Sequence, residues 1–294
     1  MRRESRQQGI TSSDAPYGTP WLGSVAKYLV LGFFAALVLY PLLLIISTSL
    51  KDPLDVTANP FTLFSSFSPI NFYDAWTLGG FGGYFWNTVV ITALTLIGVV
   101  ALSTLAGYAL ARFRLPGHNI IFIIFITGLM IPFFSVMIPL FYELRDLGLL
   151  GSKAAVILPA IAGAHGFGLP LGVFLMRSFY MDLPEELADA ARVDGAGEFS
   201  VFWRVMLPLS SPGVAVLAVL VFFQTWNNFI LALLYLPGTE NQMLATGLYL
   251  FASGRTQDTE LAAAGSLIMV FPVVVFFLLF QRQFVRGLTA GAFK

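Results

Sequence analysis

Long uncharged stretches alternate along this chain with short stretches that carry the charged residues. A helix needs about 20 consecutive apolar residues to cross the hydrocarbon core of a bilayer. Uncharged windows of that length predict six membrane-spanning helices, at residues 28–50, 84–110, 119–142, 154–176, 205–239 and 261–281. We expect the glycine-rich stretch GGFGGYF before the second span to be a loop, and Pro212-Gly213 to mark the helix start in the fifth.

The lysines and arginines are distributed unequally between the two sets of loops. With the N-terminus inside, twelve lie on the inner side (Arg2, Arg3, Arg6, Lys27, Arg112, Arg114, Arg177, Arg192, Arg204, Arg282, Arg286, Lys294) and four on the outer side (Lys51, Arg145, Lys153, Arg255). Cytoplasmic loops of membrane proteins are enriched in such residues. Both termini are therefore predicted to be cytoplasmic.

These spans and loops give the predicted organisation of the whole chain. It has a cytoplasmic tail (1–27), a first span (28–50), an extracytoplasmic loop (51–83), a core of five spans (84–281) that includes the cytoplasmic loop 178–208, and a second cytoplasmic tail (282–294). The first 25 residues are polar and lack the apolar segment of a cleavable signal peptide. No loop is long enough to form a separate domain.

Composition excludes several classes of function. Of the 294 residues, 57% are hydrophobic and only 11% are charged, whereas a soluble domain is about 25% charged. The chain is therefore predicted to be an all-α integral membrane protein in contact with lipid. A net charge of zero argues against a nucleic-acid partner. The absence of cysteine excludes disulfides and thiolate metal sites, and no metal site is predicted.

The loop at residues 182–208 has more internal pattern than any other. Asp182 followed by Glu185 resembles an N-cap with its reciprocal acid, and Pro184 is allowed in a first helical turn. We expect a helix from there to about Val193, stopped at the DGAG turn. One side would carry the apolar positions Leu183, Leu187, Ala190 and Ala191, and another the acids Asp182, Glu186 and Asp189. A second short helix is expected at residues 198–205, closed by Leu207-Pro208.

This loop resembles the signature loop of binding-protein-dependent ABC importer permeases. The family pattern is Glu-Ala-Ala, three residues, Gly, nine residues, Ile-x-Leu-Pro; here it reads Asp189-Ala190-Ala191, Gly195 and Val205-Met206-Leu207-Pro208. The spacing matches throughout, while Asp replaces Glu and Val replaces Ile.

The resemblance also covers most of the chain and favours the carbohydrate-uptake branch, in particular the maltose-type subunits without a large extracellular insertion. Its further motifs are Ser49-Leu50-Lys51, Asn87-Thr88, Gly107-Tyr108-Ala109-Leu110-Ala111-Arg112, Trp226-Asn227, and Gln281-Arg282-Gln283-Phe284 with Gly287-Leu288-Thr289-Ala290-Gly291-Ala292.

The resemblance implies a type I ABC importer permease fold and a mechanism. The loop would dock as a coupling helix in a cleft of a cytoplasmic ATPase subunit, using Glu185, Glu186, Asp189, Ala190, Ala191, Asp194, Gly195, Leu207 and Pro208. The implied partners are a second homologous permease chain, two ATPase subunits and an extracytoplasmic solute-binding protein. ATP and Mg would bind to the ATPases, and this chain would bind no cofactor.

Polar residues within the fifth span are the candidates for contact with substrate. Polar groups inside membrane spans face cavities or other helices. Gln224, Trp226, Asn227 and Asn228 lie near the middle of this span, with Gln224 and Asn228 on one face. They suit a sugar, but hydrogen bonding between helices explains them equally well. His165, the titratable residue of the fourth span, is interpreted as a packed histidine; a proton relay is the alternative.

Two other classes of function fit the sequence less well. A secondary transporter usually needs acidic residues or comparable ion ligands within its spans, and the six predicted spans contain no acid. A membrane enzyme would need a catalytic or metal motif such as H-E-x-x-H, which does not occur. Gly151-Ser152-Lys153 lacks the earlier glycine of a P-loop, so the chain is not expected to hydrolyse ATP. The prediction is a permease subunit that imports a di- or oligosaccharide or related polyol derivative; the alternative is another small polar solute such as a glycerol phosphoester.

Overall fold

The computed structural model describes residues 20–113, 116–238, 240–252 and 258–292. Regular structure in these ranges is helical, without a β-strand. The helices are α1 (Pro20–Ser49), α2 (Pro53–Ala58), α3 (Ile70–Thr77), α4 (Phe81–Arg112), α5 (His118–Met130), α6 (Phe133–Asp146), α7 (Ala154–Ala162), α8 (Leu169–Asp182), α9 (Glu186–Val193), α10 (Glu198–Val201), a π-helix (Phe202–Met206), α11 (Leu207–Leu209), α12 (Ser211–Trp226), α13 (Ile230–Tyr235), α14 (Leu244–Ala252) and α15 (Thr259–Ala292).

Three helices within the described ranges are long and apolar enough to cross a membrane individually. They are Gly23–Ser49, Phe81–Arg112 and Thr259–Gln281, and they overlap the predicted spans 28–50, 84–110 and 261–281. Most of the glycine-rich stretch expected to be a loop is helical, because α4 begins at Phe81 and the turn is made by Gly80 at φ +71°. Helix also extends into both predicted tails, while residues 1–19 and 293–294 lie outside the described ranges.

Two predicted spans correspond to bent pairs of helices. In the window 119–142, α5 and α6 meet at 99°. The break falls at Ile131, which is extended (ψ 114°) as expected of a residue before proline. In the window 205–239, the segment Glu198–Leu209 meets α12 at 73°. As expected, α12 has Pro212 in its first turn. It ends at Trp226, so this window is not one continuous helix.

The predicted fourth span, 154–176, is divided between two helices. Helix α7 stops at Gly163, which has φ +90°, and α8 starts at Leu169. A side chain at Gly163 would be strained by this dihedral angle and would meet the ring of Pro170 at 2.6 Å. The count of six spans therefore stays a prediction, since the described residues contain three single spans and two bent pairs.

The packing is organised around α4. Its closest neighbour is α8: a side chain at Gly107 would lie 2.8 Å from Cβ of Met176 and 2.9 Å from the amide nitrogen of Arg177. This close approach builds a core cluster that joins α4, α8, α9, the π-helix and α12 (Val99, Tyr108, Met176, Tyr180, Ala188, Val201, Phe202, Met206, Leu217, Val221). Helix α1 packs on α15 and is exposed along most of its length, except near its end, where Ser47 and Ser49 are buried.

Buried polar side chains organise the opposite end of α4. Nδ2 of Asn87 donates to the carbonyl oxygens of Glu240 (2.8 Å) and Gln242 (3.0 Å). The amide of Leu244 donates to the Thr88 hydroxyl at 2.9 Å. Lys51, fully buried after α1, donates through Nζ to the Asn59 carbonyl oxygen at 2.7 Å. These bonds satisfy loop backbone groups that packing has removed from water.

Candidate functional site

The loop with the signature spacing begins at a backbone anchor. Helix α8 ends at Asp182, Leu183 is extended (φ −77°, ψ 140°) and α9 starts at Glu186. Nη2 of Arg112 donates to the carbonyl oxygens of Tyr180 (2.7 Å) and Leu183 (2.6 Å). The C-terminal end of α4 therefore holds the start of the loop.

The N-cap expected at Asp182 is wrong. Asp182 is the last residue of α8, and the cap position of α9 is Glu185, whose side chain makes no capping hydrogen bond. The physical reason is Pro184, which disfavours helical geometry at Leu183. The chain therefore leaves one helix before it enters the next, and Asp182 does not stand at the cap position of α9.

Helix α9 presents mostly polar or small side chains to its surroundings. Ala188 is fully buried, and Leu183 and Ala191 pack partly against the core. Ala190 and Leu187 are exposed, so the single apolar face expected from the sequence is divided. Three acids on α9 and just before it are exposed, Glu185, Glu186 and Asp189. An exposed alanine beside these acids leaves room for the close approach of another surface.

The turn after α9 requires glycine at Gly195. Asp194 ends the helix, and Gly195 has φ +84°, a left-handed conformation that glycine adopts without steric cost. The amide of Ala196 returns to the carbonyl oxygen of Ala191 at 3.0 Å. A side chain at Gly195 would meet no atom within 4 Å. Backbone geometry, and not crowding, therefore explains this position of the pattern.

Arg192 forms two ion pairs, one within α9 and one across this turn. Its Nη1 lies 2.7 Å from Oδ1 of Asp189, and its Nε and Nη2 lie 2.8 and 3.2 Å from the two carboxylate oxygens of Glu198. The hydrogen bonds from Arg192 hold the pKa of Glu198 below its usual range. Sequence reasoning did not single out Arg192 or Glu198, although an arginine between acids at i−3 and i+6 could have suggested the arrangement.

The second helical part of the loop runs from Glu198 to Leu209. It contains a π-helical turn, Phe202–Met206, and it bends only after Leu209. Leu207 and Pro208 lie in its last turn, so the segment closes at Leu209, one residue after the expected pair and before the bend to α12. Phe202 and Met206 are buried in the core, while Phe199 and Trp203 stack on the exposed side.

The aromatic core connects this loop to the membrane helices. Tyr108 of α4 lies in ring contact with Tyr180 of α8 (5.4 Å between centroids) and with Phe202 of the loop (5.1 Å). The Ser210 hydroxyl donates to the Tyr180 hydroxyl at 3.2 Å. The loop therefore packs directly against α4, α8 and the start of α12.

The candidate substrate residues of the fifth span are separated by the end of α12. Gln224 accepts a hydrogen bond from the amide of Phe167 (2.9 Å) and donates to the carbonyl oxygen of His165 (2.5 Å). Its amide group thus supports the break between α7 and α8. Neither ring nitrogen of His165 has a hydrogen-bond partner among the described residues.

The other three candidates have different environments. Trp226 is buried and donates through Nε1 to the carbonyl oxygen of Met269 at 3.1 Å. Asn227 is exposed, with a hydrogen bond to Phe223 of its own helix, and Asn228 is buried and accepts from the amide of Leu231. The shared face expected for Gln224 and Asn228 is wrong, because α12 ends between them. Trp226 and Gln224 bridge helices, whereas Asn227 is the candidate whose side chain is open to a solute.

No group of three or more His, Asp or Glu side chains within the described ranges is arranged to hold a metal ion. The loop at residues 182–208 presents exposed acids, exposed Ala190 and the left-handed turn at Gly195.

Comparison with known proteins finds a matching family model and relatives that align with most of the chain. A family model described as "Binding-protein-dependent transport system inner membrane component" matches residues 103–289. A diacetylchitobiose uptake system permease protein of Streptomyces coelicolor is 32% identical over 270 residues, covering 91% of this chain and 88% of that protein. An arabinooligosaccharides transport system permease protein of Halalkalibacterium halodurans is 36% identical over 270 residues, covering 89% of this chain and 93% of that protein.

Two solved structures have the same fold. One is a crystal structure of a bacterial ABC transporter involved in the import of the acidic polysaccharide alginate (TM-score 0.77, 22% identity, 91% of this chain and 99% of that one). The other is a bacterial alginate ABC transporter in complex with an alginate pentasaccharide-bound periplasmic protein (TM-score 0.65, 16% identity, 88% and 92%). The all-helical type I ABC permease fold expected from the signature loop is confirmed.

Proposed function

This chain belongs to the family of binding-protein-dependent transport system inner membrane components, and we propose that the solute it imports is a di- or oligosaccharide or a related polyol derivative. It is a permease subunit of an ABC importer in a prokaryotic membrane, not an enzyme. The observation that carries the sugar class is the agreement between two relatives, each of which aligns with about nine-tenths of the chain. Their names specify diacetylchitobiose and arabinooligosaccharides.

The proposed complex contains three further kinds of subunit. A second, homologous permease chain would complete the translocation path, two cytoplasmic ATPase subunits would bind ATP and Mg, and an extracytoplasmic solute-binding protein would deliver the sugar. The likeness to a solved transporter in complex with its periplasmic protein supports the last of these. The excess of lysine and arginine on one set of loops supports cytoplasmic termini and a cytoplasmic coupling loop.

Helix α9 is the proposed contact with the ATPase. Glu186 and Asp189 are exposed and would form polar contacts, while Ala190 would pack closely against the partner. Gly195 would fix the turn that follows. Because Glu185 and Asp194 flank α9 and are exposed, they would complete the acidic rim of the docking surface.

Transport requires that ATP binding change the relative stability of two conformations of the permease. A ligand shifts such an equilibrium only by its difference in affinity for the two states. Closure of the ATPase pair would move α9, and Val201, Phe202 and Met206 would transmit the movement through the core they share with α4 and α8. Leu207 and Pro208 lie between this core and the bend before α12, where the fifth span would change its tilt.

Reconstitution of the complex tests the proposal. The tagged chain would be purified from its host's membranes with its partners and placed in proteoliposomes with the purified solute-binding protein. We expect uptake of a radiolabelled oligosaccharide that requires ATP and the binding protein. Uptake driven by an ion gradient without ATP would overturn the ABC mechanism. Uptake of a glycerol phosphoester in preference to every sugar tested would overturn the proposed solute class.

A further inference from the structure

We propose that Arg192 is a positioning residue of the coupling site, which sets the angle between α9 and the segment Glu198–Leu209 and orients the carboxylate of Asp189. The inference rests on the proposed docking of α9 to an ATPase subunit. It concerns a residue outside the signature positions, and it follows from two ion pairs of Arg192, one with Asp189 on α9 and one across the Gly195 turn with Glu198.

The connection between the two helical parts is short and intrinsically flexible. It contains two glycines, Gly195 and Gly197, and a side chain at either would meet no atom within 4 Å. The backbone hydrogen bond from Ala196 to Ala191 fixes only the start of the turn. If a movement of α9 is to displace the next helix by the same amount, a further contact must hold the two helices at a fixed angle.

Arg192 supplies that constraint through both oxygens of Glu198. Its Nε and Nη2 are 2.8 and 3.2 Å from Oε1 and Oε2. A planar guanidinium that faces a carboxylate with two parallel hydrogen bonds fixes direction as well as distance, which a lysine ammonium cannot do. The end of α9 is therefore held in a defined orientation relative to the start of α10.

The same side chain determines where Asp189 points. Nη1 of Arg192 binds Oδ1 of Asp189 at 2.7 Å, and the Asp189 side chain remains 61% exposed. A carboxylate can accept several hydrogen bonds. Asp189 can thus pair with Arg192 and still offer oxygen to the ATPase.

The small contribution of exposed ion pairs to folding distinguishes a positioning role of Arg192 from a role in folding stability. Ion pairs between exposed side chains contribute little to folding, and Arg192 keeps 33% of its side-chain surface accessible. The attachment of α9 to the protein depends on buried Ala188 and the neighbouring core. Loss of the Arg192 charge should therefore leave the fold intact while loosening the angle between the two helical parts.

Arg192→Met retains much of the aliphatic stem and removes the charge. In the reconstituted complex we expect unchanged assembly and melting temperature, and solute transported per ATP hydrolysed reduced by about two- to tenfold, the range that two exposed ion pairs can supply. Arg192→Lys should reduce the amount of solute transported per ATP hydrolysed by less than Arg192→Met does. Arg145→Met, which removes a similarly exposed ion pair with Asp146 away from the loop, is the matched control and should couple normally.

Charge exchange distinguishes a positioning role from a local packing role. Arg192→Glu should uncouple the complex, and combining it with Glu198→Arg should restore part of the coupling ratio. In parallel, spin labels at Leu187→Cys and Phe199→Cys, in a chain without native cysteine, should give a narrow distance distribution that broadens in Arg192→Met.

Three results would each overturn the role of Arg192. The first is normal coupling by Arg192→Met, and the second is a charge exchange with Glu198 that restores none of the coupling ratio. The third is a loss of transport that follows a loss of folded protein. Failure of the proposed function would be seen separately, because the wild-type complex would then show no ATP-dependent uptake.

Discussion

Arg112 and Leu183 are joined by a hydrogen bond of 2.6 Å between Nη2 of the guanidinium and the backbone carbonyl oxygen. The bond connects the last residue of α4 to the one extended residue between α8 and the turn that opens α9. A long membrane helix thereby holds the start of the signature loop through a single charged group. Because the acceptor is backbone, the identity of Leu183 is less important than the presence of Arg112.

Replacement of Arg112 by glutamine should destabilise this connection. Hydrogen bonds to charged groups are worth about 1.5–3 kcal/mol, and Arg112 makes two that are partly buried. We expect a loss of about 2–3 kcal/mol in unfolding free energy, measured by thermal or denaturant unfolding of the purified complex. Arg204→Gln is the control: exposed Arg204 has no hydrogen bond or ion pair in the described structure, and its loss should leave stability unchanged.

A side chain at Gly195 should strain the turn after α9. The left-handed conformation costs a residue with a Cβ roughly 1–2 kcal/mol, and Gly195 has φ +84°. Gly195→Ala should therefore reduce the amount of ATPase subunit that copurifies with the chain. Gly197→Ala provides a matched control, because Gly197 has φ −70° and open space around it. Equal retention of the ATPase by both variants would contradict the docking role of the turn.

Gln224 should affect transport through the structure of the fourth span. Gln224→Leu removes two hydrogen bonds and leaves the Phe167 amide and the His165 carbonyl unpaired, at a cost of about 1–3 kcal/mol. We expect a lower melting temperature and a lower maximal uptake rate for every solute tested.

Asn227→Ala is the informative comparison for Gln224, because the Asn227 side chain is exposed and bonds only within its own helix turn. This variant should melt like the wild type. A change in the sugar concentration needed for half-maximal uptake would then identify Asn227 as a contact on the pathway. A solute-specific change in Gln224→Leu would contradict the structural role of Gln224.

The loop after α1 should be sensitive to acid over a defined range. Hydrogen bonds from Ser65, Asn59 and Ser66 lower the pKa of Asp55 from 3.8 to about 2. An acid with a depressed pKa stabilises the folded state above its unfolded pKa, and the contribution is lost as the pH falls through the folded value. The loop should keep its conformation down to about pH 4 and lose this contribution between about pH 4 and 2.

A fluorophore on Thr57→Cys, in this cysteine-free chain, would report the acid transition. Asp55→Asn should remove the dependence on pH in this range. A transition in the wild type that persists unchanged in Asp55→Asn would assign it to a different group.

The hydrophobic pattern and the spacing of the loop were sufficient for the class of this protein. Uncharged windows located helices α1, α4 and α15, since a segment without charge for more than 20 residues has few alternatives to a membrane-crossing helix. The signature at Asp189, Gly195 and Leu207-Pro208 identified the family, since its fixed spacing extends over 20 residues of a loop. Both signals are local, so neither requires knowledge of the packing.

Tertiary structure decided where helices break and which side chains meet. Pro132 stands at a 99° bend, whereas Pro139 and Pro272 lie within continuous helices. Neighbouring helices can satisfy the backbone groups that a proline frees in one place and not in another. The pairing of Arg192 with Glu198 and the use of Gln224 to support the break at 163–168 likewise depend on distances across the fold. Sequence spacing identified the signature loop, and contacts with α4 and α8 determined its geometry.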